Sequence, residues 1–156
     1  MEPVWAASWI AGLSLITLTT AFHAFGVVMI YLAVMRRARS AEIRARHGRH
    51  PIVHAVSLVA VVGLLLTVLH GIEAAIWMLA YLALGAIGSE QDAMLYSLDS
   101  FTTRGASEVL LTRHWGLMGA LEAADGMLLF GISTAFVFAV FQRVIQGIDL
   151  AATARR

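Results

Sequence analysis

SEQDAMLYSLDSFTTRGASE, residues 89–108, lies between two long apolar stretches, and its reading decides how this chain is built. The first half carries the marks of a helix start. Ser89 is suited to cap the backbone, and Glu90 and Asp92 put negative charge in the first turn, where the helix dipole favours it. The run Ala93-Met94-Leu95-Tyr96-Ser97-Leu98 continues the helix to about Thr102. Such a helix, roughly 13 residues and about 20 Å long, falls short of a hydrocarbon core of about 30 Å. Being apolar as well as short, it is expected to enter the bilayer part way and turn back. Gly105 is the predicted breaker, and Trp115 the interfacial anchor where the chain re-emerges.

The flanking sequence has the composition of a membrane protein. Of 156 residues, 60% are hydrophobic and 13% charged, with a mean hydropathy of +0.80, well beyond an ordinary soluble domain. Val4 to Met35 is uncharged and broken only by His23; as a helix it would be about 48 Å long, so it must tilt or protrude. The chain opens Met1-Glu2-Pro3 rather than on a basic stretch, so this run is expected to be a retained span. Ile52 to Gly88 holds one acid, Glu73, with His54 and His70, and Leu117 to Phe141 holds Glu122 and Asp125. The predicted organisation is an extra N-terminal transmembrane helix at 1–35, a basic loop at 36–51, and a membrane domain at 52–143. Within that domain a first helix is expected at 52–88, the short helix and its loop at 89–108 and a second long helix at 116–143. A tail at 144–156 follows.

Charge sets the expected orientation. Arg36 to His50 carries six arginines against Glu42 alone, which places that loop and the C-terminal tail in the cytoplasm and the N-terminus outside. Cysteine is absent, which excludes disulfides, thiolate metal sites and iron–sulfur clusters. Neither a repeat nor room for a second core is present, so one membrane domain is expected. Three helices make a thin wall for any pathway, so several copies around an axis are expected.

Two consecutive threonines, one residue and then glycine, set after a short helix and between two spans, resemble the pore loop of the potassium-channel superfamily. The flanks share the likeness. HGIEAAIWMLAYLALGA (70–86) and GALEAADGMLLFGISTAFVFAVFQR (119–143) are similar to the outer and inner helices of small bacterial potassium-channel-like proteins, so the resemblance covers about half the chain. It implies an all-α homotetramer in a bacterial inner membrane, with three transmembrane helices, a re-entrant pore helix and a filter loop per subunit. The implied function is ion conduction, with permeant inorganic ions and the lipid bilayer as partners, no enzyme activity, no nucleic acid, and no resident metal or cofactor.

In that family the loop reads Thr-Thr-Val-Gly-Tyr-Gly-Asp, and its carbonyls replace the hydration shell of the ion. Thr102, Thr103 and Gly105 match. Arg104, Ala106, Ser107 and Glu108 depart from the aliphatic residue, tyrosine, second glycine and aspartate. Serine at 107 resists the positive φ that glycine allows, so potassium selectivity is not expected. Weakly selective cation conduction is, with Glu108 drawing cations to the outer mouth; anion conduction or a non-conducting assembly are the alternatives. The resemblance puts the Arg104 side chain behind the filter, between Asp99 and Glu108, the competing placement being a ring of positive charge in the lumen.

Glu122, Asp125 and Glu73 are expected to support the filter from the helices, Glu73 lying three residues after His70 on one helical face. Gly126 and Gly131 are the candidate hinges of the inner helix, although small residues also allow close helix approach. His23 and His70 fall near mid-span. They suit hydrogen bonds across a helix interface, a proton-sensing role, or ligation of a b-type haem or transition metal. A bis-histidine haem protein is therefore the rival from another class.

Overall fold

The computed structural model describes the backbone of residues 2–45, 51–105 and 109–153 and the side chains of residues 5–36, 53, 55–105 and 109–147. Among the described residues the chain is all-helical: α1 (Glu2–Ala45), α2 (Pro51–Ala83), α3 (Glu90–Phe101) and α4 (Gly116–Thr153). Three of these contain stretches long and apolar enough to cross a membrane, Trp5–Arg36, Ala55–Ala83 and Gly116–Gly147.

Several element ends differ from the sequence-based expectation. Residues 36–45 are helical rather than loop, because hydropathy marks where a helix leaves the membrane and not where it unwinds, and Ala, Arg and Glu propagate helix well. For the same reason α4 continues past 143 to Thr153. In the other direction, α2 stops at Ala83 rather than 88. Its start is set by Pro51, whose fixed φ suits a first turn and whose missing N–H is one that a helix does not use. Its end is set by Gly85 at φ +62. The Ala86 N–H donates back to the Tyr81 carbonyl (2.8 Å) and the Gly85 N–H to that of Leu82 (3.1 Å), the paired closure that a left-handed residue makes at a helix C-terminus.

Helix α3 starts as its residues dictate. Ser89 is the N-cap, and its Oγ accepts the Asp92 N–H at 3.4 Å, with Glu90 and Asp92 in the first turn. It ends at Phe101 with Thr102 as C-cap, close to the expected end. Thr103, not Gly105, makes the reversal, at φ +56. The Arg104 N–H donates to the Asp99 carbonyl and the Thr103 N–H to that of Ser100, each at 2.9 Å. A β-branched residue in the left-handed region is strained. Thr103→Gly is therefore expected to raise stability by roughly 0.5–1 kcal/mol, the steric relief outweighing the added freedom of the unfolded chain; the check is thermal unfolding in detergent.

The chain forms two compact units. One comprises residues 1–24 and 69–131; its core is built around Trp77, Tyr81, Phe101, Met118 and Leu129, all with 1% exposure or less. The segment after α3 returns within this unit: the Thr112 N–H donates to the Ala86 carbonyl at 3.3 Å, and Ser8 Oγ donates to the His114 carbonyl at 2.8 Å. The other unit comprises residues 25–68 and 132–156. There Val34, Val62, Leu66 and Val140 are buried. Arg143 places its guanidinium over the Tyr31 ring, 5.8 Å from the centroid, and an N–H toward Met35 Sδ at 3.5 Å.

Candidate functional site

An ionised or polar side chain inside an apolar helix packing must find hydrogen-bond partners, or its desolvation destabilises the fold. Among the described residues the first unit holds four buried acids, Glu73, Asp99, Glu122 and Asp125; Glu73, Asp125 and Glu122 are each met by donors from other elements. On α2, Glu73, Trp77 and Tyr81 recur at intervals of four, one above another on a single helical face. The three acids are organised along that face.

At the first level, Glu73 bridges two histidines. His23 Nδ1 of α1 lies 2.8 Å from Glu73 Oε1, and His70 Nδ1 lies 2.9 Å from Oε2. One turn along α2, Trp77 donates its indole N–H to Asp125 Oδ2 of α4 at 3.0 Å, and Thr19 of α1 donates to the same oxygen at 2.6 Å. Thr19 is four residues from His23, so α1 climbs in step with α2. One turn further, the Tyr81 hydroxyl donates to Glu122 Oε2 at 2.6 Å. Ser97 of α3 donates to the Ala74 carbonyl at 2.7 Å and also contacts Glu122 Oε1. One hydroxyl proton cannot close both of these contacts; a proton on the Glu122 carboxyl closes the second. Glu122 thus ties α3 to α2 and α4.

The residues expected to form the filter are placed as follows. Thr102 is the C-cap of α3, its hydroxyl donating to the Leu98 carbonyl at 2.6 Å. Thr103 and Gly105 hold positive φ. Arg104 Nη2 lies 2.8 Å from each oxygen of Asp99, with the arginine largely exposed and the aspartate buried. Ala106, Ser107 and Glu108 lie outside the described residues, and so does any contact between Arg104 and Glu108. Glu122, Asp125 and Glu73 do not touch Arg104: their partners are the hydroxyls, the indole and the imidazoles given above. Glu122 is hydrogen-bonded to α3, through Ser97.

Phe101, the last residue of α3, sets how far that helix penetrates its neighbours. Its ring meets His70 at 5.8 Å and Phe130 at 5.7 Å between centroids, near the middle of the Ala55–Ala83 and Gly116–Gly147 stretches. Its carbonyl lies against Gly126, where an added Cβ would collide with backbone. Gly126 is therefore a point of close helix approach. Gly131 has open space around the position of a Cβ, and α4 runs as one helix through both.

The two histidines converge, but not as haem ligands. Their rings stack at 5.2 Å between centroids and 21° between planes, with both Nδ1 atoms on Glu73. Axial ligands instead aim one nitrogen each at an iron from opposite sides of a macrocycle, and rings stacked on each other leave no plane for one.

Four partners escaped the sequence reading: Thr19, Trp77, Tyr81 and Ser97. The four-residue spacing of Glu73, Trp77 and Tyr81 was a usable signal, since an acid, an indole and a phenol on one face of a membrane helix mark a polar seam. Thr19 and Ser97 carry no such signal. Comparison with protein-family models, with curated proteins and with solved structures finds no match for this chain.

Proposed function

We propose that the chain is the subunit of a homotetrameric, potassium-channel-like ion channel, in which α3 and residues 102–108 form a re-entrant pore loop. The observation that carries this reading is the hairpin made by α3 and its return. It starts at Ala86, just past the end of α2, reaches Phe101 beside His70 and Phe130, and comes back to pair Thr112 with Ala86. Thr102, Thr103, Arg104 and Gly105, at the tip, are exposed in the single chain. Irregular backbone at mid-span depth cannot face lipid, which offers its carbonyls no donors. It must line water or meet protein. Four copies around an axis meet both needs at once: the tips face a shared aqueous pathway and the flanks face each other.

The tip chemistry favours weakly selective cation conduction over potassium selectivity. Serine stands at 107 where potassium filters hold glycine, and it resists the positive φ that turns successive carbonyls toward an axis to replace a potassium hydration shell. Asp99 at 2.8 Å neutralises Arg104 at short range and weakens any positive field in the pathway. Purified protein in liposomes is expected to pass potassium and sodium at rates within about tenfold of each other and chloride more slowly. A strong potassium preference would overturn the selectivity reading, and a monomer in detergent and bilayer without flux would overturn the channel.

A further inference from the structure

We propose that His23, His70 and Glu73 form a binding site for one divalent first-row transition-metal ion, which clamps α1 to α2. This inference is independent of the pore reading, since it concerns the packing of one chain. Among the described residues this is the one place where three histidine or carboxylate side chains converge, with a ligand atom from each lying within 4.8 Å of the others. All three are buried. Two come from α2 at i and i+3, the spacing by which a helix directs a histidine and a carboxylate to a common ion in metal-binding bundles, and the third comes from α1.

The donor set selects the ion class. Two imidazole nitrogens and a carboxylate suit zinc, iron, nickel or manganese, and not calcium or magnesium, which take oxygen shells. Ligand atoms around one such ion sit about 2.0–2.2 Å from it and therefore roughly 3–4 Å from each other. The two imidazole–carboxylate separations are 2.8 and 2.9 Å and all three ligand atoms lie within 4.8 Å of one another, so side-chain shifts of about 1 Å bring all three into place. The ion would then occupy the space now bridged by the two imidazole–carboxylate contacts, each neutral histidine keeping its proton on the other nitrogen.

Charge supports the assignment. Within the membrane-spanning packing, an ion of charge +2 on Glu73 alone leaves +1 uncompensated. Asp125 lies one helical turn away along both α1 and α2, through Thr19 and Trp77. Its Oδ2 takes both of those donors, while its Oδ1 is buried with no hydrogen-bond partner. An orphaned carboxylate oxygen at that place supplies the second negative charge and an acceptor for a water on the ion. Phe101 and Phe130 pack against His70 and lower the local dielectric, which strengthens the attraction between the ion and its carboxylate.

The test uses the full chain purified in detergent with a histidine-free tag and no chelator. Elemental analysis is expected to find close to one zinc, iron, nickel or manganese ion per chain. Cobalt added to metal-stripped protein is expected to give visible ligand-field absorption. Glu73→Gln and His23→Gln are expected to lower affinity about tenfold or more, whereas His114→Gln, outside the cluster, changes nothing. Should the variants fail to fold, X-ray absorption of the loaded native protein decides, with imidazole scattering expected in the first shell. Protein that carries no metal and gives no cobalt spectrum, or that binds equally well in both variants, overturns the site and leaves a triad held by shared protons.

Discussion

Glu122→Ala is expected to destabilise the chain by roughly 3–5 kcal/mol, while Glu122→Gln changes stability by about 1 kcal/mol or less. Glu122 is fully buried and receives Tyr81 from α2 and Ser97 from α3. Alanine leaves a cavity and takes the acceptor from the hydroxyl of Tyr81, which is itself fully buried; such an unmet group costs about 1–3 kcal/mol on top of the cavity. Glutamine keeps the shape. Its carbonyl accepts from Tyr81 and its amide donates to Ser97, whose own proton then goes to the Ala74 carbonyl 2.7 Å away. The two variants separate a structural tie from a required negative charge. Thermal unfolding in detergent reads the difference, and a glutamine variant as unstable as alanine would show that an ionised carboxylate is needed.

What the sequence made legible follows from the range of the forces involved. Local chemistry read well: Ser89 with Glu90 and Asp92 is a self-contained start signal, and α3 begins there. The three spans read well because hydrophobicity is summed over many residues. Helix ends read poorly wherever hydropathy stood in for helix propensity, as at residues 36–45. The end of α3 falls where the sequence places it, near Thr102, but the residue that makes the reversal differs. Propensity points to Gly105, but the helix turns at Thr103, where Asp99 and Ser100 carbonyls take the next two N–H groups and Phe101 is pinned against Gly126. Tertiary packing overrode the intrinsic cost of a threonine at positive φ.

The buried acids divide along the same line. His70 and Glu73 meet because they share a helix face, and their spacing announced it. That His23 would take the other oxygen of Glu73 depended on the rotation of α1 against α2, which no local pattern fixes. Glu122 and Asp125 lie three apart on α4, a spacing that suits one or both of them to back the loop. They are divided between different partners because Asp125 faces α1 and Trp77, and Glu122 faces α3 and Tyr81.

Gly126 and Gly131 both read as hinges in the sequence, and their substitution distinguishes bending from packing. Gly126→Ala is expected to be destabilising by about 1–3 kcal/mol and to abolish flux, because a Cβ there runs into the Phe101 carbonyl and backbone cannot yield as a side chain tip would. Relief requires α3 to slide or tilt, which moves Thr102 through Gly105 at the tip and breaks the reach of Ser97 to Glu122. Gly131→Ala meets nothing within 4 Å, so it is expected to stabilise α4 by about 1 kcal/mol through helix propensity alone and to leave flux unchanged. Liposome flux on the two variants, beside their unfolding temperatures, reads the contrast. If the channel opened by bending at Gly131, the alanine there would slow conduction while raising stability. If α3 were only a surface helix with no part in a pathway, Gly126→Ala would lower stability and leave conduction as it was.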